Sequence, residues 1–78
     1  MAENHSEFVL DATGLLCPLP VLKARKRLQA MAQGEVLSVI ATDPMAAVDF
    51  PHFCSEQGHT LLSQHSGDHT FIFRIRRK

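Results

Sequence analysis

A chain of 78 residues with eight basic and eight acidic side chains and zero formal charge fits one small domain whose core is thin but sufficient for independent folding, and leaves no room for a second. Zero net charge excludes a general electrostatic pull toward nucleic acid or acidic membranes, and two cysteines are too few for the disulfide scaffold of a small secreted domain. The polar start, Met1 to Glu7, lacks the apolar stretch of a signal peptide, and no apolar run nears the ~20 residues of a membrane span, so the expected setting is the reducing cytoplasm.

Residues 1–7 are expected to form a flexible polar tail, and 8–78 a single domain. Phe8, Val9 and Leu10 form a short apolar run stopped by Asp11 and Gly14, the pattern of a first strand. From Pro18, the apolar positions Val21, Ala24, Leu28 and Met31 recur at helical spacing with Lys23, Arg25, Lys26, Arg27 and Gln29 between them, which predicts an amphipathic helix closed by Gln33-Gly34. Val36 to Thr42 is apolar on both alternating faces, as a central strand should be. Strand, helix and strand make a βαβ unit with parallel strands and a right-handed crossover.

Asp43-Pro44 offers a cap and a proline for a second helix. Pro51 predicts a break in it, with a short turn over Pro44 to Val48, Asp49 as a second cap, and a main segment from about Phe50 to Gln57 closed by Gly58. Thr60 to Ser66 and Thr70 to Arg76 read as third and fourth strands around a turn at Gly67-Asp68, with Phe71, Phe73 and Ile75 on one face. The order βαβαββ gives a two-layer α/β sandwich, a four-stranded mixed sheet with both helices on one side.

The chemistry is expected where the first strand meets the first helix, in Gly14-Leu15-Leu16-Cys17-Pro18-Leu19-Pro20. Gly14 permits a sharp turn. Pro18 suits the first helical position, which makes Cys17 the N-cap, with its sulfur facing the first-turn N–H groups of Leu19 and Val21 and the positive end of the helix dipole. Both favour thiolate over thiol, so a reactive cysteine is expected at neutral pH. Pro18 and Pro20 stiffen the turn around Leu19.

Other groups are less directed toward chemistry. Cys54 lies beside Phe53 on a helix face expected to be buried, as a small core hydrophobe; its spacing from Cys17 is no Cys-x-x-Cys redox motif. The five histidines show no metal-ligand spacing, so neither metal nor cofactor is expected. Lys23, Arg25, Lys26 and Arg27 make a basic stretch just after the cysteine, either a solvated helix face or a docking patch for an acidic partner surface.

Taken together, Cys17-Pro18-Leu19-Pro20 after a strand and Gly14, then Gly34-Glu35, Asp43-Pro44, Asp49, Pro51, Phe53-Cys54 and Gly58-His59, resemble the TusA/SirA-like sulfur carriers from about Phe8 to Arg76. The resemblance implies that Cys17 carries sulfur as a persulfide, received from a cysteine desulfurase or another sulfur donor protein and relayed to a downstream sulfur-acceptor protein. It implies service in tRNA thiolation, molybdenum-cofactor assembly or sulfur oxidation. Leu16 and Leu19 stand where a basic and an acidic residue are common in the tRNA-thiolation members, which leaves the partner open.

The residues agree with a carrier, because a thiolate that attacks a donor persulfide can later offer the acquired sulfur to another nucleophile. Whether such a protein counts as a sulfurtransferase enzyme depends on its place in a relay. Two rival functions remain at this level. A nucleic-acid-binding regulator would use the basic stretches, against which stand zero net charge and the lack of Tyr and Trp for base stacking. A thiol redox sensor would oxidise Cys17 to sulfenic acid.

Overall fold

The computed structural model describes residues 7–78. Its elements are β1 (Glu7–Ala12), α1 (Leu19–Gln29), β2 (Val36–Ala41), α2 (Ala46–Gln57), β3 (Thr60–Gly67) and β4 (Thr70–Arg76). The strand order is β1-β2-β4-β3, with β1 parallel to β2 and both other pairings antiparallel, so the expected two-layer βαβαββ sandwich is the fold. Glu7 opens β1 opposite Val36; the rest of the expected tail lies outside the described residues.

Strand alternation sorts the side chains into two faces. Leu10, Val39 and Phe73 lie in one cross-strand row, and Leu37 and Ile75 in the next, all buried toward the helices. On the opposite, uncovered face, Glu7 receives two hydrogen bonds from Arg74, from Nε at 2.8 Å and Nη2 at 3.2 Å. The core is closed from above by Pro20, Ala24 and Leu28 of α1 and by Ala46, Phe50, Phe53 and Cys54 of α2. Phe50 stacks on Phe73 with ring centroids 4.6 Å apart. Among the described residues no helix is long and apolar enough to cross a membrane.

Two element boundaries differ from expectation. α1 ends at Gln29, capped by Ala30, where the Met31 N–H and, at 2.8 Å, the Arg77 guanidinium both donate to the Leu28 carbonyl, one of the helix's terminal acceptors. Gly34, with φ of 84°, instead turns the chain into β2, donating its N–H to the Arg77 carbonyl. α2 runs unbroken through Pro51. An interior proline deprives the carbonyl four residues earlier of its donor, at a cost of about 3 kcal/mol or more in an unsupported helix. Here that carbonyl belongs to Ala47, and the Gln64 side-chain amide of β3 donates to it at 3.4 Å.

Phe50 is fully buried and holds the helix layer to the sheet. Phe50→Ala is expected to lower stability by about 3–5 kcal/mol in urea unfolding, whereas Val9→Ala, on the exposed sheet face, should change it by no more than about 0.5 kcal/mol.

Candidate functional site at the Cys17 turn

The loops that leave the carboxyl ends of parallel strands β1 and β2 lie side by side, the position where open α/β sheets form binding sites. Side-chain hydrogen bonds join them. After β1, the Asp11 carboxylate accepts from the Thr13 N–H at 3.0 Å and hydroxyl at 2.7 Å, which holds its pKa below the ordinary value. Gly14 then adopts a φ of 79°, a left-handed conformation that glycine takes without steric cost. Its N–H donates to Thr42 Oγ1 at 2.8 Å. Three residues on, the Cys17 N–H donates to Asp43 Oδ2 at 2.7 Å.

Asp43 serves both loops. Its second oxygen, Oδ1, accepts from the Met45 N–H at 3.1 Å, and its carbonyl accepts from the Ala46 N–H at 2.9 Å. The residue expected to cap α2 therefore organises the entry to that helix from two positions before its N-cap, Met45, and also fixes the cysteine. The two backbone donors, Cys17 first, hold the Asp43 pKa below the ordinary carboxylate value, as hydrogen bonds to the charged form do.

The start of α1 corrects the expected cap. Pro18, not Cys17, is the N-cap, and Pro20 occupies the second helical position, buried. The Leu19 N–H donates to the Leu16 carbonyl at 2.8 Å and is spent within the turn. Cys17 sits one residue before the cap, exposed, with its backbone tied to Asp43.

The expected thiolate is corrected with it. The Cys17 pKa is raised, first by hydrogen bonding with the Asp49 carboxylate, then by desolvation, then by the negative charges of Asp49 and Asp43. Carboxylates stand beside Cys17 in place of the anticipated N–H donors and favour its neutral thiol. Asp49 does not cap a second segment; it lies in the first turn of α2.

A cavity of about 240 Å³ opens between the helices at this point, lined by Cys17, Pro18 and Val21 on one side and by Asp49, His52, Phe53, Glu56 and Gln57 on the other. The α2 set follows i, i+3, i+4, i+7, i+8 spacing, one continuous helical face, which exists only because the helix passes through Pro51. No local signal places a histidine near Cys17, yet His52 shares its cavity. Its Nε2 lies 3.7 Å from Glu56 Oε2, with both side chains largely exposed, a pair of small energetic weight. Among the described residues no group of three or more His, Cys, Asp or Glu is placed to hold a metal.

The remaining candidates scatter. Cys54 is buried, and desolvation pushes its thiol up to about 11. Lys23, Lys26 and Arg27 line a different groove, with Leu10 and Ala30; Lys23 Nζ approaches the Asp11 carbonyl at 3.4 Å, and the Arg27 guanidinium lies 5.2 Å from the Phe8 ring centroid. Arg25 is exposed.

Residues 8–77 match the family described as Sulfurtransferase TusA. The chain belongs to this family. Among its relatives, the sulfur carrier protein TusA of Pseudomonas entomophila (strain L48) is 49% identical over 78 residues, covering 100% of this chain and 98% of the relative. That of Allochromatium vinosum is 47% identical over 77 residues, covering 99% of each. A solved SirA-like protein from Desulfitobacterium hafniense superposes with a TM-score of 0.79 at 22% identity, over 88% of this chain and 95% of that one, so the family fold is shared well beyond close sequence similarity.

Within this family member, the Asp49–Cys17 contact has a direct test. Replacing the carboxylate removes its hydrogen bond with Cys17, the largest cause of the raised thiol pKa, together with its negative charge. Asp49→Asn is therefore expected to lower the Cys17 pKa and increase the thiolate fraction at neutral pH, read from thiolate absorbance and from the pH profile of alkylation in a Cys54→Ala background. An unchanged or higher pKa would contradict the assignment.

Proposed function

We propose that this protein is a sulfur carrier that holds sulfane sulfur as a persulfide on Cys17 and relays it from a donor protein to an acceptor protein. The observation that carries the reading is the Cys17 thiol, exposed at the mouth of the interhelical cavity on a backbone anchored to Asp43. Relatives named as sulfur carriers, similar over nearly their whole length, support it.

Loading is a thiol exchange. Cys17 Sγ attacks the outer sulfur of a donor persulfide R–S–SH, the bond between the two donor sulfurs breaks, and the donor leaves as a thiol. The products are Cys17–S–SH and R–SH, with no net oxidation or reduction. The Cys17 proton must leave as the new bond forms, and the Asp49 carboxylate beside the thiol is the group placed to receive it and return it to the departing donor sulfur. Delivery repeats the exchange with an acceptor nucleophile. Lys23, Arg25, Lys26 and Arg27, on the outer flank of α1, add positive charge that attracts an acidic partner surface at long range.

A peroxide-type redox sensor needs a thiolate-rich, accessible cysteine, and the carboxylates around Cys17 oppose one. Nucleic-acid readout is opposed by the division of the basic residues between the α1 flank and the chain terminus.

Cys17→Ser is expected to abolish loading, with no protein species gaining the mass of one sulfur atom and no cyanide-labile sulfur, while Cys54→Ala loads as the wild type does. Loading that survives in Cys17→Ser and vanishes in Cys54→Ala would reverse the assignment.

A further inference from the structure

The cavity beside Cys17 has an uneven supply of hydrogen-bonding groups. Its α2 wall presents Asp49, His52, Phe53, Glu56 and Gln57, and the facing wall adds Pro18 and Val21 to the cysteine. Asp49 hydrogen-bonds with the thiol. Ionised carboxylates only accept, so Asp49 and Glu56 suit a protonated sulfur and repel an ionised one, while Pro18, Val21 and Phe53 carry no side-chain donor. His52 follows Asp49 by three residues on the same helical face, where side chains lie about 5–6 Å apart, and its imidazole can give an N–H. The other donor on that wall, Gln57, stands eight residues beyond Asp49, about 12 Å along the helix axis. The His52 side chain is 74% exposed and pairs with Glu56 Oε2 at 3.7 Å. The core does not depend on it, and its ring is available to a group held in the cavity.

We propose that His52 is the hydrogen-bond donor that holds the outer sulfur of the loaded Cys17 persulfide inside this cavity. The proposal rests on the sulfur-carrier reading of Cys17 and deepens it by naming the group that receives the cargo. Loading adds one sulfur atom about 2 Å from Sγ, and this outer atom bears the negative charge when the persulfide ionises. The charged groups around it are Asp49 and Glu56 on α2 and, from the loop before α2, Asp43, whose charge acts on Cys17. All three are negative and drive an ionised outer sulfur away. Turned along α2, past Asp49, that sulfur approaches the His52 ring, and an N–H donated to the charged form favours it. Asp49 thus serves the empty thiol, and His52, one turn further on, serves the loaded one.

The test uses the full chain with Cys54→Ala, so that one thiol is read, and compares His52 with His52→Leu and His52→Gln. Each protein is loaded with inorganic polysulfide, which gives up one sulfur atom to Cys17 and leaves one sulfur shorter, and loading is followed by intact mass. The loaded proteins are titrated by the near-ultraviolet absorbance of the persulfide anion, and the empty proteins by thiolate absorbance.

His52→Leu is expected to raise the persulfide pKa by about half a unit, roughly a threefold loss of the ionised form at a given pH, and to move the thiol pKa of the empty protein much less. His52→Gln keeps an N–H donor at the same position without a titrating ring, and should recover most of the persulfide shift. An unchanged persulfide pKa in His52→Leu would overturn the proposal. Equal shifts of thiol and persulfide would overturn it too, since they would report a general change of field in place of a contact with the outer sulfur. So would a His52→Gln protein indistinguishable from His52→Leu. Each of these outcomes leaves sulfur carriage standing, whereas a His52 protein that gains no sulfur from polysulfide would overturn the carrier reading itself.

Discussion

One carboxylate couples the two halves of the site. Asp43 follows the second parallel strand and receives the Cys17 N–H on one oxygen and the Met45 N–H on the other. Without it, among the described residues the loop after β1 and the loop before α2 would keep the Gly14–Thr42 bond, and the cysteine backbone would lose its tie to the entrance of α2. The parallel pairing of β1 and β2 brings the loops together; the Asp43 bonds determine how the sulfur stands between them. The same bonds favour the ionised carboxylate, so their contribution to stability is present above the ordinary aspartate pKa and is lost as the pH falls through the lower folded value.

The electrostatic design is the reverse of an activated thiolate. A helix start offers N–H donors and the positive end of a dipole, yet here the turn consumes one donor, prolines at positions 18 and 20 remove two more, and carboxylates from the second loop and helix surround the sulfur. Under the proposed function these surroundings bear differently on the empty and the loaded carrier, because a persulfide is a better acid than the thiol it grows on.

The fold was legible in the sequence because its signals are local and mutually consistent. Val36 to Ala41 has apolar residues on both faces and lies between two neighbours; Phe73 and Ile75 alternate as a half-buried strand must; Cys17 stood out by its prolines and its place after a strand. What escaped were relations between segments. Pro51 reads as a helix breaker to any local rule, and only the Gln64 amide, arriving from β3, supplies the donor its helix lacks. The cap stands one residue later than expected, and the Cys17 N–H goes instead to a carboxylate 26 positions away in sequence. The thiolate expectation failed for the same reason, since Asp49 approaches the sulfur only when α2 is continuous and packed beside α1. His52 entered the cavity by the same route. Basic residues near Cys17 in sequence proved to line another groove, a reminder that adjacency along a helix is not adjacency in space.

The claim that one Asp43 carboxylate sets the cysteine turn can be measured in a single titration. Backbone amide resonances of Cys17 and Met45, followed by NMR as the pH is lowered, should shift together with one shared midpoint below the ordinary aspartate value of about 3.9, because both donors lose their acceptor when the same group is protonated. Independent midpoints for the two amides, or a shared midpoint at or above the ordinary value, would contradict the account.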